Sequence, residues 1–403
     1  MSEWKETIIG DVVFTNKQSI NREYPFSEIL YLDTGSITCN KIETFQKFNI
    51  DEAPSRAKRL VSEDDIIYST VRPNQLHYGY INNAPENLVV STGFVVITCK
   101  KEFINPKFLY YYLTLNSTTE YLHSIAEAST SAYPSLKPSD IEAQVISLPP
   151  LPIQESIATL LNSIDNKIDL LQSQNLSLEK IASVVFRQKF IEEATDGWRI
   201  EKLGELADVQ NGYAFSSRDY VEFQTGHLEV LKMGHIEKGG GLRTNPKKDF
   251  VPRIEKLKRW ILNKGDIIMA MTDMKDNVVI LGVPAMIDKD DKYVLNQRVA
   301  RISLKANDKL INNYLLYIQL KDSEFVATLQ SKANSGVQVN LSTDAIKDSD
   351  IIIPPIALQN EIGKTITDLY IKKEFNDSQI AILNSLRNTL LPKFMSGEVT
   401  IEL

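Results

Sequence analysis

The sequence predicts an α+β protein made of two copies of one mixed α/β domain, each followed by a long helix. Two observations support this fold class. A pair of prolines stops a strand and starts a helix twice, at Pro149-Pro150 and, 205 residues later, at Pro354-Pro355. After each pair, apolar residues recur at alternating steps of four and three for roughly 40 residues, which is the pattern of a coiled-coil helix.

The repeat continues in collinear order over about 190 residues, which indicates a duplicated domain. Five pairs of residues match at the same offset: Leu136 with Leu341, Ile141 with Ile346, Gln154 with Gln359, Ile157 with Ile362, and Leu178 with Leu383. With small insertions the match extends upstream. Residues 58–60 and 65–67 correspond to 258–260 and 266–268, residues 4 and 9–11 to 198 and 203–205, and residues 32–37 to 232–236.

The repeat divides the chain into a first domain (1–148), a first helix region (149–195), a second domain (196–353) and a second helix region (354–403). Strands are predicted where β-branched and aromatic residues lie between turn residues. They fall at 88–90 and 93–97 in the first domain and at 278–281 and 299–302 in the second, with a short helix following at 106–115 and at 312–320. The alternation of elements is too irregular to predict a strand order.

The two long helices are predicted to end near Glu192 and Ser396 and to pair antiparallel around a pseudo-two-fold axis. Asn175 then lies opposite Asn376, and such a buried asparagine fixes helix register. The second seam also carries Lys373 and Arg387, which we expect to reach toward solvent. Each helix could instead belong to the core of its own domain, but 36 residues at 1.5 Å per residue make about 55 Å, which favours a paired spacer.

Composition limits the class of protein and its setting. The net charge of −7 excludes a globally basic nucleic-acid binder but is compatible with a local basic patch. Two cysteines, Cys39 and Cys99, make no disulfide framework, so we expect a reduced, cytoplasmic setting. The first residues lack a signal-peptide core, and no run of 18 apolar residues predicts a membrane span.

Motifs for chemistry on this chain are missing, so we expect neither catalytic residues nor a metal site. The four histidines have no metal-ligand spacing, and residues 239–241, three glycines, do not form a P-loop. The Asn-Pro-Pro-aromatic signature of adenine methyltransferases is absent, as are the nucleophile elbow of hydrolases and a nuclease carboxylate pattern.

Local clusters of basic and amide side chains are candidates for nucleic-acid binding. Arginine, asparagine and glutamine can read base edges, whereas lysine mainly contacts phosphates. The candidates are Lys58, Arg59, Arg72, Asn74, Gln75 and Tyr133 in the first domain, and Ser217, Arg218, Lys247, Lys248, Lys258, Arg259, Lys275 and Gln338 in the second. The loops at 132–135 and 336–338 occupy matching places with different content, as expected if each domain reads a different sequence. Solvated charges and loop drift would give the same patterns.

The chain resembles the specificity subunits of type I restriction–modification systems, HsdS. The resemblance covers essentially the whole chain and rests on motifs that are specific only in combination. They are the domain opening at 197–205, the segment at 295–299, the helix starts at 148–154 and 353–359, and the tail at 386–398.

The resemblance implies a non-catalytic DNA-reading subunit. Each domain would read one half of a bipartite site in double-stranded DNA, while the helices set the gap and dock two methyltransferase subunits. S-adenosylmethionine, ATP and Mg²⁺ would then lie only on partner subunits, which include a restriction subunit. The alternatives are a scaffolding protein with no DNA role and, less favoured, a self-contained methyltransferase or nuclease. The recognised bases are not readable from the sequence, because they depend on loop geometry and DNA shape.

Overall fold

The computed structural model describes residues 4–399 and 401 with internal gaps. The residues outside the description are 130–133, 195–197, 244–245, 275–277, 307–308, 311 and 336–337, together with the side chains of 334, 335 and 338. The chain divides into a first unit, residues 1–170 and 380–403, and a second unit, residues 171–379. This division runs through both long helices, and the four-part division by sequence stays a prediction.

The α/β part of the first unit and the long helix that follows it contain these elements, in chain order: β1 (Lys5–Ile8), α1 (Ile9–Val12), β2 (Val13–Thr15), β3 (Glu28–Leu32), β4 (Ile37–Thr38), β5 (Lys41–Ile42), β6 (Gln46–Asn49), β7 (Ala57–Leu60), β8 (Ile66–Ser69), β9 (Tyr78–Tyr80), β10 (Leu88–Ser91), β11 (Phe94–Cys99), α2 (Pro106–Leu113), α3 (Asn116–Glu127), α4 (Pro138–Glu142), β12 (Val145–Leu148) and α5 (Leu151–Phe186). Short 3₁₀ turns lie at Thr34–Ser36, Ile50–Glu52 and Pro73–Gln75, and a π-helical turn, Arg187–Glu192, continues α5.

The second α/β part and its helix contain these elements, in chain order: β13 (Arg199–Lys202), α6 (Leu203–Leu206), β14 (Ala207–Asn211), β15 (Leu228–Leu231), β16 (Phe250–Val251), β17 (Ile267–Ala270), β18 (Thr272–Met274), β19 (Pro284–Met286), β20 (Tyr293–Leu295), β21 (Val299–Leu304), α7 (Asn313–Lys321), α8 (Ser323–Ser331), β22 (Asn334–Ser335), β23 (Gln338–Asn340), α9 (Thr343–Lys347), β24 (Asp350–Ile353) and α10 (Ile356–Met395). Its 3₁₀ turns lie at Ser217–Asp219, Met233–His235 and Glu255–Trp260. The predicted strands at 88–90, 93–97 and 299–302, both short helices and both long helices are confirmed.

The sheets confirm that the two α/β parts share one topology. In each, the first and last strands pair antiparallel, β1 with β12 and β13 with β24. An antiparallel sheet has the order β2-β11-β8-β9 in the first part and β14-β21-β17-β19 in the second. Another sheet contains the one parallel pair described in each part, β3 with β10 and β15 with β20.

The turn before the central strand shows how the repeated sequence forms the same local structure. Asp64 and Gly265 both take a left-handed conformation, with φ of 70° and 88°. The next residue in each copy is an aspartate that accepts a backbone N–H three residues back. Asp65 accepts from Ser62 at 2.7 Å, and Asp266 accepts from Asn263 at 2.9 Å. The Asp-Ile-Ile repeat is therefore a turn followed by a buried strand.

The predicted strand at 278–281 is wrong. The carboxylate of Asp273 accepts the backbone N–H groups of Val279 and Ile280, each at 2.7 Å, and that of Leu281 at 3.3 Å. This segment therefore folds as a turn around one carboxylate, and the chain pairs as a strand only later, at β19. Apolar β-branched residues there met the strand pattern, but the carboxylate holds their N–H groups away from a sheet.

Two stretches that match in sequence differ in structure. Lys58-Arg59 lies in strand β7, which pairs with β10. Lys258-Arg259 lies in the 3₁₀ turn Glu255–Trp260, and only the following residue, Ile261, bridges to β20. Leu60 pairs with Val89 and Ile261 bridges to Val294, so the matching stretches lie beside corresponding strands, β10 and β20, and differ in local conformation.

Each unit buries one end of both long helices. In the first unit, Ile157 and Leu161 of α5 share a core with Phe394 and Met395 of α10. In the second unit, the end of α5 joins the core that contains the start of α10, where Ile362 and Ile366 are buried. The start of each helix thus lies beside the end of the other within a unit, which makes the pair antiparallel.

A buried glutamine explains the start of both helices. The side-chain amide of Gln154 donates to the carbonyl of Pro149 at 2.8 Å, and that of Gln359 donates to Pro354 at 2.9 Å. Both glutamines are almost fully buried. Each one fixes the chain where the proline pair turns from strand into helix, so the repeated Pro-Pro-x-x-x-Gln pattern is a structural motif.

Candidate nucleic-acid interface and helix pair

The first-unit candidates lie on one strand and one turn. Lys58 is exposed on β7 and Arg59 is half-buried, with no partner for its Nη1 atom among the described residues. Burial lowers the pKa of Arg59 from its ordinary value. Arg72, Asn74 and Gln75 are exposed at the 3₁₀ turn Pro73–Gln75.

The 3₁₀ turn Pro73–Gln75 has a fixed shape. Arg72 before it and Leu76 after it both take left-handed conformations, with φ of 47° and 59°. The backbone N–H of Arg72 also donates to the carbonyl of Pro134 at 3.1 Å. A non-glycine residue holds such a conformation only where its surroundings impose it, so the polar side chains are presented in one arrangement.

The second-unit candidates come together around aromatic rings. The ring of Tyr213 lies 5.0 Å from that of Trp260 and 4.8 Å from that of Phe215, and Phe215 lies 6.2 Å from Tyr220. Arg259 lies over the Trp260 ring at 4.9 Å. The ring chain therefore joins the turn that carries Ser217 and Arg218 to the turn that carries Lys258 and Arg259.

Two lysines are held by tyrosines of this aromatic group, Lys256 by Tyr213 and Lys232 by Tyr220. Lys256 donates from Nζ to the Tyr213 hydroxyl at 2.6 Å, and this hydrogen bond raises the pKa of Lys256. Lys232 lies 4.1 Å from the centre of the Tyr220 ring and pairs with Asp249 at 2.7 Å, beside Lys247 and Lys248 in the chain. We define the aromatic–basic surface by these residues: Tyr213, Phe215, Arg218, Tyr220, Lys232, Lys247, Lys248, Lys256, Lys258, Arg259 and Trp260.

Sequence reasoning missed the aromatic residues of this surface and Lys232, which lies over the Tyr220 ring. Tyr213, Phe215 and Tyr220 follow one another closely in the sequence, and this spacing could have indicated a surface of aromatic rings. Their proximity to Trp260, however, depends on Gly212. A Cβ at Gly212 would lie 2.3 Å from the carbonyl oxygen of Leu295, so only glycine lets this loop pack against the end of β20.

Three candidates lie partly or wholly outside the description. Tyr133 and Lys275 fall outside the described residues, as do most of the two loops at 132–135 and 336–338. Gln338 lies in strand β23, but its side chain is not described. Their roles stay predictions.

A buried ionisable pair supports the aromatic–basic surface from below. The Nδ1 atom of His235 accepts the backbone N–H of Lys232 at 3.2 Å, and its Nε2 lies 3.1 Å from the Glu229 carboxylate. Burial acts to raise the pKa of Glu229, but His235 and Lys292 outweigh it, and the net pKa is lowered. The pair fixes the turn from which Lys232 extends.

The helix pair of the second unit contains a buried polar layer. Asn376 donates from Nδ2 to Oδ1 of Asn175 at 2.9 Å, and Asn175 donates to Asp377 at 2.7 Å. Lys373 lies beside this layer, 2.9 Å from Asp377 and 3.6 Å from Glu179. Asn175 and Asn376 therefore meet where the heptad pattern places them, and their effect on register stays a prediction.

Both cations of the second helix seam pair with carboxylates, so the expectation that they simply reach toward solvent needs correction. In the first unit, Arg387 contacts Asp165 at 2.8 Å, and Tyr111 donates to the same carboxylate at 2.7 Å. Burial acts to lower the pKa of Arg387 and of Lys373, but the carboxylates outweigh it and raise both. A seam lysine or arginine facing a carboxylate on the other helix has a partner nearer than solvent.

The long helices also expose large apolar side chains. In the second unit these include Leu176, which is 71% exposed, and Phe375, which is 56% exposed. The first unit exposes others of the same kind: Leu160, Leu170, Ile382 and Leu386. Where exposed apolar residues form a contiguous patch, the patch typically binds another protein, so these residues are candidates for such a surface.

Neither a metal cluster nor a membrane span is found in the part of the chain that the structure describes. No three side chains of His, Cys, Asp and Glu are grouped there as a metal site requires. No described helix is both long and apolar enough to cross a membrane.

Comparison with known proteins gives consistent results. A family model, the type I restriction modification DNA specificity domain, matches twice, at residues 1–180 and 195–384. The chain is 25% identical to the type I restriction enzyme HindI specificity subunit of Haemophilus influenzae, over 99% of this chain and 100% of that one. It is 26% identical to the MjaIX specificity subunit of Methanocaldococcus jannaschii, over 80% of this chain and 76% of that one.

Among solved structures, the S subunit of a type I restriction–modification system from M. genitalium is similar in fold. Its TM-score is 0.56 at 16% identity, covering 100% of this chain and 97% of that one. At this level of identity the likeness concerns the fold alone.

Proposed function

This chain belongs to the type I restriction–modification DNA specificity family, and from that premise we propose that it selects the DNA site for a methyltransferase complex without catalysing a reaction itself. Each α/β part would act as a recognition domain for one half of a bipartite site. The observation that carries the proposal is the double match to one DNA-specificity domain on two copies of one sheet order. Different exposed loops on the same framework are what two different half-sites require.

The proposal assigns base reading and phosphate contact to different side chains. Exposed Arg72, Asn74 and Gln75 on a fixed turn suit the reading of base edges in the major groove. The aromatic–basic surface offers lysines and arginines for phosphates in the second half. Both sets are anchored by backbone or ring contacts, so binding does not have to order them first.

The helix pair is the proposed docking surface for methyltransferase subunits, two of which would suit the two helix–domain repeats. The exposed apolar side chains of α5 and α10 support this role, because a soluble helix pair would otherwise leave them in water. S-adenosylmethionine would belong to those partners, and ATP and Mg²⁺ to a restriction subunit. The same helices would set the gap between half-sites.

The function is tested by methylation in cells. The chain is co-expressed with the methyltransferase subunit encoded in the same system in a host that lacks adenine methylation, and methylated adenines are mapped by single-molecule sequencing. We expect one asymmetric motif with two specified halves and an unspecified gap. The matched control expresses the methyltransferase without this chain. A methylation pattern with no sequence preference, or the same motif in the control, would overturn the proposal.

Docking is tested separately with surface variants. We expect Leu176→Asp combined with Phe375→Asp to abolish co-elution with the methyltransferase subunit in size-exclusion chromatography, because two charges replace apolar contacts. Phe103→Asp is the matched control, since Phe103 is 54% exposed but does not lie on a long helix. Normal co-elution of the helix variant, or equal loss in the control, would contradict docking on the helices.

A further inference from the structure

Charge is distributed unequally between the two recognition domains. Residues 211–260, which carry the aromatic–basic surface, contain ten lysines and arginines against six aspartates and glutamates. The corresponding stretch of the first domain follows its second strand, at residues 16–60. It contains seven lysines and arginines against six aspartates and glutamates. The whole chain has a net charge of −7. The second stretch is therefore a basic region on an acidic protein, and the first is nearly neutral.

Several cations of the aromatic–basic surface have no carboxylate partner. Within the described part of the chain, no ion pair joins Arg218, Lys247, Lys248 or Arg259 to an acidic side chain. All four are exposed. Exposed cations that form no close ion pair with a carboxylate stay available to an external anion.

The surface is also held in shape before any ligand binds. Lys256 is fixed by the Tyr213 hydroxyl at 2.6 Å, and its Nζ lies 4.8 Å from the centre of the same ring. The loop that carries Tyr213 is tied to the end of β20, where Tyr213 donates to the carbonyl of Leu295 at 2.9 Å and its own carbonyl accepts from Gln297 at 3.0 Å. A lysine held in place loses less side-chain freedom on binding than a free one.

The first domain offers a contrasting case of lysines over an aromatic ring. Lys17 and Lys100 lie 5.5 Å and 4.7 Å from the ring centre of Phe14. Lys100 donates to the backbone carbonyl of Asp11 at 2.8 Å. The pair has the same cation–ring contact, and Lys17 belongs to the nearly neutral stretch 16–60, which makes the pair a matched control.

We propose that the aromatic–basic surface is the main phosphate-binding site of the chain, so that the second recognition domain provides most of the sequence-independent attraction for the DNA backbone. The ligand is the sugar–phosphate backbone of duplex DNA, and Tyr213 acts as a positioning residue for Lys256. This inference rests on the proposed DNA-binding function and adds a division of labour: the second domain anchors the duplex, while the first contributes mainly through base contacts.

Salt dependence of binding tests the division directly. The complex of full-length chain and methyltransferase is titrated with a fluorescent duplex containing the methylated motif, and with one lacking it, between 50 and 300 mM salt. The logarithm of the binding constant falls with the logarithm of salt by about 0.9 per neutralised phosphate in duplex DNA. The double variant Lys256→Ala with Arg259→Ala removes about two phosphate contacts. We therefore expect it to reduce the magnitude of this slope by about 2 on both duplexes.

The control and the positioning variant make the test specific. Lys17→Ala with Lys100→Ala removes two cations from the first domain, and we expect it to change the slope by less than half as much. Tyr213→Phe keeps the ring but removes the hydroxyl that holds Lys256, and we expect a slope between wild type and Lys256→Ala. The control pair, Lys17→Ala with Lys100→Ala, should leave the methylated motif unchanged, because neither lysine belongs to the aromatic–basic surface.

Failure of the inference and failure of the proposed function differ in outcome. If the first-domain pair lowers the slope as much as the second-domain pair, or the second-domain pair leaves it unchanged, the division of labour is wrong even though methylation stays specific. If no motif is methylated, the specificity function is wrong, while the duplex without a motif still reports whether this surface binds phosphates.

Discussion

The first and second units hold the same antiparallel helices by different contacts. In the first unit the end of α10 is buried through Phe394 and Met395, and one carboxylate, Asp165, pairs with Arg387. In the second unit the helices meet through the asparagine layer of Asn175 and Asn376, with Lys373 and Glu179 beside it. Both units bury apolar helix ends, but the polar contact between the helices is an ion pair in the first unit and an amide layer in the second. We expect core packing to stabilise each unit, and the polar contacts between the helices to select their pairing.

The largest expected effect comes from the aromatic residue at the end of each helix region. Phe394→Ala should destabilise the first unit, and Phe190→Ala the second, each by about 3–5 kcal/mol, because each removes a buried ring from a core. Phe190 is fully buried beside Phe186 and Trp198. Hydrogen exchange followed by mass spectrometry should show faster exchange in the matching unit. Equal acceleration in both units from either variant would contradict two separate cores.

A smaller effect is expected from the ion pair of the first unit. Arg387→Met should lower the free energy of unfolding by about 1–2 kcal/mol, a value between those of an exposed and a buried ion pair. The loss is limited because Asp165 keeps Tyr111 as a hydrogen-bond donor. Lys373→Met is the matched variant in the second unit. Hydrogen exchange at Tyr111 and its neighbours should rise only in the Arg387 variant, and a rise in both would show that the two helix contacts are not independent.

The asparagine layer should show coupling rather than a large loss of stability. A double-mutant cycle of Asn175→Leu and Asn376→Leu should give a coupling free energy of about 1 kcal/mol, because either single change removes the hydrogen bond between the two buried amides. Chemical unfolding of the four proteins measures it. A coupling indistinguishable from zero would mean that the two side chains are adjacent without setting register.

The smallest effect should appear in the pH dependence of the second unit. His235 and Lys292 lower the pKa of Glu229 against the opposing effect of burial. A lowered carboxylate pKa contributes stability above the ordinary glutamate value, near 4.3, that is lost as pH falls through the folded value. Glu229→Gln should therefore reduce the fall in the free energy of unfolding, measured with urea, between pH 6 and pH 3, about the range over which carboxylates titrate. The first unit has Leu30 and Ser36 at the matching positions and provides the internal control.

Features encoded by the repeat and by the apolar periodicity were predictable from the sequence. The proline pairs, the heptads and the repeat offset gave both helices, their antiparallel pairing and the meeting of Asn175 with Asn376. The strand order was not predictable, because pairing of β2 with β11 or of β3 with β10 joins residues far apart in the chain. The strand predicted at 278–281 failed because one carboxylate, Asp273, competes for its N–H groups.

The candidate site was predictable in its charges but not in its arrangement. Basic residue types marked Arg218, Lys258 and Arg259 as candidates for nucleic-acid binding, and the structure groups these residues around aromatic rings. The rings that join them could be found only once Gly212 was seen to pack against Leu295, a contact that spans about eighty residues of chain. Lys58-Arg59 and Lys258-Arg259 match in sequence and lie beside corresponding strands, yet one pair lies in a strand and the other in a turn, so sequence similarity does not predict the local conformation.

The central claim is that two domains read two half-sites while the helices set the distance between them. It is tested most directly by inserting one heptad into both helices, after Leu170 in α5 and after Gln379 in α10, and mapping methylated adenines in the host. Seven residues add about 10 Å of helix, so we expect the same two half-sites with a gap longer by about two or three base pairs. Specific methylation with an unchanged gap would contradict the account.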